Sequence, residues 1–176
     1  YLIDENIPET PYRCTGTDPD EIFCCKPEET IDRNTALARS CTPYFSFSRL
    51  GISESKWSTY WNSRLSGRLE GGLKSPPRWL TERARHKPET RVPVDELLTV
   101  LAEVRTSLPR FTQIENALLG TVLSGTARGS FPSWGGLLRV KTFTWRDQPT
   151  EKFIGGFAGW LPDGADIWVS GEGHGR

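Results

Sequence analysis

A chain of 176 residues fits a single domain, since domains typically run roughly 100–200 residues. Its 22 basic and 22 acidic residues cancel, which argues against a broad nucleic-acid surface or an anionic-membrane binder. No apolar run approaches the ~20 residues that span a bilayer, so no membrane partner is expected.

Residues 1–10 are polar, end near Pro8 and Pro11, and read as an extended arm. Tyr12-Arg13-Cys14 begins a strand. Asp18 to Phe23 reads as a capped helical turn, with Asp18 as N-cap, Pro19 at the first helical position and acids in the first turn. Residues 26–34 are charged and loop-like, and Thr35 to Ser40 predicts a short helix leading to a strand over Tyr44–Ser48. Trp57, Tyr60, Trp61 and Leu65 fall on one face of a helix over Ser53–Leu69, with Ser53 as its cap. Residues 73–92 are basic and Pro-containing and read as a surface loop. The clearest helix is Pro93–Leu108, with Asp95 and Glu96 in its first turn. A second, weaker helix follows over Thr112–Val122, then a Gly/Ser turn region over Gly125–Gly136. The last third reads as strands: Arg139–Trp145, Glu151–Phe157 and Asp166–Ser170, before a loose Gly-rich tail. This order predicts an α+β fold in one domain over 1–176, with an N-terminal lobe over 11–49.

All four cysteines lie in that lobe, at 14, 24, 25 and 41. Adjacent cysteines rarely bond to each other, because a vicinal disulfide strains the backbone. The pairing is then 14–24 with 25–41, or 14–25 with 24–41. A zinc site is the competing reading; it lacks paired C-x-x-C knuckles, and His86 and His174 are far off in sequence. Disulfides imply an oxidising compartment, so a secreted protein is expected. The chain has no Met, initiator included, and reads as a processed product whose signal peptide is gone. No phosphate loop, G-x-S-x-G or H-E-x-x-H motif is present.

Three stretches carry a resemblance. Tyr12-Arg13-Cys14, followed by Asp18-Pro19-Asp20-Glu21-Ile22-Phe23, resembles the opening strand and run of the enterotoxin-type mono-ADP-ribosyltransferases. Tyr44-Phe45-Ser46-Phe47-Ser48 resembles their Ser-Thr-Ser element. Glu151-Lys152-Phe153-Ile154-Gly155-Gly156 resembles their acidic strand and Gly-Gly segment, and the three occur in the family's order. The resemblance implies a split β-sandwich with flanking helices and NAD as substrate. It implies that Arg13 grips NAD through a guanidinium fork, that Ser46 braces the site, and that Glu151 stabilises the oxocarbenium-like transition state as nicotinamide leaves. Tyr12, Ser48 and Tyr44 would complete the cofactor pocket. The implied protein is a monomeric secreted toxin or effector that transfers ADP-ribose to a host protein or nucleobase, or an NAD glycohydrolase. The chain departs from the family at Pro149, where Glu or Gln is expected, at Phe47, and at Thr15-Gly16-Thr17. These departures support an alternative, a non-catalytic secreted effector or interaction module on the same or another α+β fold.

Overall fold

A computed structural model describes residues 1–65, 93–133, 135–147 and 152–173. Two short strands, β1 (Tyr12–Arg13) and β2 (Thr30–Ile31), pair antiparallel with Tyr12 opposite Ile31. Between them lies a 3-10 turn, Glu21–Phe23. Helix α1 (Arg33–Ala38) starts at Asp32, whose carboxylate accepts from the Thr35 amide at 2.7 Å. That cap satisfies a backbone donor which the helix itself leaves unpaired. The loop expected over 26–34 therefore contains β2 and the start of α1, because Tyr12 and Arg13 need a partner strand.

The strand expected over Tyr44–Ser48 is instead helical. A 3-10 turn covers Pro43–Phe45, and helix α2 covers Phe47–Leu50. Pro43 opens the turn with φ already fixed, and Gly51 closes α2 at φ 64°, a left-handed value glycine adopts freely. The Arg49 guanidinium holds this folded-back chain, donating to the Tyr44 carbonyl at 2.8 Å and to the Thr10 carbonyl. Alternating aromatics and serines have the period of a strand, but among the described residues no strand pairs with them.

Helix α3 (Glu54–Leu65) starts at Ser53, whose Oγ accepts from the Lys56 amide at 3.3 Å. Its Trp57, Tyr60 and Trp61 form an aromatic group with Tyr1 and Phe47. Tyr1 anchors the first residues, so they coil into a turn rather than an extended arm: the Glu5 amide donates to the Tyr1 carbonyl and the Ile7 amide to the Leu2 carbonyl, each at 2.9 Å. The basic stretch at 73–92 lies outside the described residues.

The remainder is a helix pair on a sheet. Helices α4 (Val94–Ser107) and α5 (Phe111–Leu123) match the periodic segments. Strands β3 (Arg139–Asp147), β4 (Lys152–Trp160) and β5 (Asp166–Gly173) form an antiparallel meander in the order β3-β4-β5. The β4–β5 turn is closed by Leu161 and Ala165 backbone hydrogen bonding and by the Asp163 carboxylate, which accepts from the Ala165 amide. The molecule is thus α+β, with a two-stranded and a three-stranded sheet among the described residues.

Among the described residues, three apolar clusters hold it. Cys14, Cys24, Ile31, Ala36, Cys41 and Tyr44 fill the N-terminal lobe. Phe111, Leu118 and Trp160 join α5 to β4, and Val122, Leu138 and Val140 join α5 to β3. No described helix is long and apolar enough to cross a membrane.

Candidate functional site

The N-terminal lobe is built around one buried carboxylate. Glu21 is 1% exposed. Its oxygens accept from the Thr15 amide at 3.0 Å, the Gly16 amide at 2.6 Å, the Thr15 hydroxyl at 3.1 Å and the Tyr12 hydroxyl. Gly16 presents its amide from φ 73°, with the Pro27 ring 2.8 Å from where a Cβ would sit. A side chain at 16 would therefore be both strained and blocked. Burial alone raises a carboxyl pKa, but the hydrogen bonds from Tyr12, Thr15 and Gly16 outweigh it and hold Glu21 down at about 2. Burial, then the bond to Glu21, pushes the Tyr12 hydroxyl in the opposite direction. Glu21 is a structural strut: its acceptor sites are filled from within the lobe.

The disulfides continue the clamp. Cys14 bonds to Cys25 and Cys24 to Cys41, with Cα separations of 6.3 and 5.1 Å. This selects the second of the two pairings that the sequence left open. All four sulfurs are engaged, so the thiolates a zinc ion would need are already consumed. The Arg39 guanidinium donates to the Cys24 carbonyl at 3.2 Å and pairs with Glu29 at 2.7 Å. Between the Glu21 strut and these bonds stand Ile22 and Phe23, 72% and 73% exposed. Their backbone belongs to the 3-10 turn, with the Phe23 amide reaching back to the Asp20 carbonyl. Two adjacent large apolar side chains thus project from a base fixed on both sides.

The residues singled out by the resemblance are placed as follows. Arg13 lies on β1 with its side chain 70% exposed, and pairs with Glu28. Its neighbour Tyr12 turns the other way, into the lobe cluster. Tyr44 is 1% exposed, under the Arg49 guanidinium at 4.3 Å from its ring centroid. Ser46 precedes α2 and makes no side-chain cap bond, and Ser48 is exposed within α2. No hydrogen bond joins Arg13 to Ser46 or Ser48 among the described residues. Glu151 lies outside the described residues, as do Gln148, Pro149, His86 and His174.

Sequence reasoning passed over Glu21 and Arg49. Glu21 sits in an Asp-Pro-Asp-Glu run that reads as a helix start, where acids favour the positive helix end. Its real signal is Thr15-Gly16, six and five residues earlier, a small-residue turn able to offer two amides to a carboxylate.

Residues 16–131 match the family described as predicted secreted protein (DUF2300). The uncharacterized protein YfaQ of Escherichia coli (strain K12) is 41% identical over 174 residues, 98% of this chain. The chain spans 29% of that relative's length. No solved structure matches the chain. The family match covers more than half of the sequence and takes in Glu21, Ile22, Phe23 and three of the four cysteines, Cys24, Cys25 and Cys41. The secreted localisation expected from the cysteines stands with it, and the chain belongs to the DUF2300 family of predicted secreted proteins.

Proposed function

We propose that this chain is a non-catalytic recognition module of a secreted protein, which presents Ile22 and Phe23 to an apolar pocket on a partner protein. The exposure of those two side chains on a doubly stapled base carries the reading. Single exposed apolar residues are ordinary on a soluble surface. Here two are adjacent, and the residues on either side, Glu21 and Cys24, are buried. A rigid apolar anchor loses little conformational freedom on docking, which is how a few side chains come to dominate an interface. The test is a photo-crosslinking amino acid placed at position 23 in the secreted protein, with Val169 (49% exposed) as the control position. The expected result is one partner crosslinked from 23 and absent from 169, and lost when Ile22→Ser is added. The same crosslinks from both positions would defeat the reading.

The order of the Arg13, Ser46 and Glu151 segments, with Arg13 on a strand, favours a second reading. It is an ADP-ribosyltransferase-like domain that cleaves NAD and modifies a host protein or nucleobase. NAD consumption would then fall on Arg13→Ala and on Glu151→Ala, and turnover untouched by both would reject it. Calorimetry with NAD separates the two readings directly, since the first expects no binding.

A further inference from the structure

A second feature lies away from the stapled lobe's apolar pair. The coiled first residues, α1 and the start of α5 enclose an open cavity of about 230 Å³. Leu2, Ile3 and Ile7 give it apolar lining, and Arg33, Arg110 and Gln113 give it polar lining. The two arginines are held but not neutralised. Arg33 Nη2 donates to the Ile7 carbonyl at 2.8 Å, and Arg110 Nη1 donates to the Asn6 side-chain oxygen at 2.6 Å. Both partners are uncharged oxygens. Among the described residues, no carboxylate lies within ion-pair distance of either guanidinium. Glu9 accepts from the Arg33 backbone amide at 3.2 Å, and Asp4 and Glu5 lie on the same coil. Arg33 Nε is also buried without a hydrogen-bond partner among the described residues.

Each guanidinium carries five N–H donors, and one of each is used. The cavity therefore presents two forks of positive charge, the side-chain amide of Gln113 in the first turn of α5, and a smaller apolar patch from Leu2, Ile3 and Ile7. Arg110 adopts φ 73° immediately before α5, which places it at the helix end whose dipole also favours negative charge. The volume lies below the roughly 300–1,000 Å³ of drug-sized pockets, so the ligand is small. We infer that this cavity is a binding site for a small organic anion, a carboxylate carried on a short apolar group. The carboxylate bridges Arg33 and Arg110, and the apolar group lies against Leu2, Ile3 and Ile7. The inference is independent of the Ile22–Phe23 reading, since the two sites share no residue.

The test is an NMR titration of the protein with hexanoate, 1-hexanol and inorganic phosphate. Hexanoate is expected to saturate one site, with affinity falling as salt rises. Hexanol, which lacks the charge, should bind at least about tenfold more weakly, the scale of one charge-assisted hydrogen bond. Gln113→Glu places a negative charge in the cavity at a helix start that tolerates acids, so the fold is kept while hexanoate affinity drops about tenfold or more. Arg110→Asn keeps a residue that accepts a positive φ and should weaken binding in the same direction. Hexanol binding as well as hexanoate, phosphate binding as well or better, Gln113→Glu leaving affinity unchanged, or no saturable binding would each overturn the assignment.

Discussion

The N-terminal lobe and the helix–sheet half solve the same problem with different means. In the lobe, three of the six clustered buried residues are cysteines, and the strands are two residues long. In the other half, strands of nine, nine and eight residues and helices of fourteen and thirteen residues bury Trp160, Val140 and Leu118 with no cysteine at all. Small elements cannot bury enough apolar surface to offset the ordering of their backbone, so cross-links and polar struts take over. Longer elements bury enough by packing alone. The lobe's order is therefore tied to its cross-links and its polar strut, and the sheet's mainly to side-chain volume.

Reducing agent attacks this contrast most strongly. The two bridges close loops with separations of 11 and 17 residues, worth roughly 3 kcal/mol each on chain-entropy grounds. Hydrogen exchange after reduction should show protection lost around Tyr12–Tyr44 and kept in α5 and β3–β5. Uniform loss across both halves would mean that they unfold as one unit. Trp160→Ala strikes the other half. Trp160 is 4% exposed, packs on Phe111 and has the Arg105 guanidinium 5.6 Å from its ring centroid. Truncating a buried Trp costs about 3–5 kcal/mol, and denaturant titration should show that loss with and without reductant.

Acid sharpens the comparison further. Glu21 titrates near 2 in the folded lobe against an ordinary 4.5. Its folded pKa is depressed, so its contribution is present above about 4.5 and is lost as pH falls through about 2. Wild-type stability should fall over that window by more than that of Glu21→Gln. Lys141, on β3, gives the same sign at alkaline pH for a different reason, because the fold disfavours its charged form. Burial holds its ammonium at about 8 against an ordinary 10.5, so stability should rise as pH climbs from 8 toward 10.5. Thermal melts of Lys141→Met should lack that rise. The smallest effect belongs to Ile22→Ser with Phe23→Ser. Both side chains are exposed, so denaturation free energy should stay within about 0.5 kcal/mol of wild type.

Much of the fold was legible because the long elements follow their own periodicity. Leu97, Leu98, Val100, Leu101 and Val104 mark α4 without help from the rest of the chain. The first strand of the meander follows from alternation in Arg139–Trp145. The strand expected at Tyr44–Ser48 failed because alternation is necessary for a strand but does not supply a partner. Two candidate pairings became one only once β1 was set against β2. The candidate site was less legible still. Glu21 gains its role from amides at Thr15 and Gly16, and Arg33 and Arg110 meet across 77 residues of sequence. Contacts of that kind leave no local pattern.

The seam between the halves carries a further consequence. Gly120 on α5 approaches Ala38 so closely that an added Cβ would sit 3.2 Å from the Ala38 methyl. A Cβ on Gly125 would lie 2.2 Å from the Ala38 carbonyl oxygen, which already accepts from the Thr126 amide. Among relatives, this seam sets a rule for comparing sequences. Substitutions can accumulate on the exposed face of either half, but position 125 admits no side chain, and positions 38 and 120 admit little beyond a methyl. A homologue with a bulky residue there has joined its halves at a different angle, and its lobe cannot be superposed on this one from its sheet.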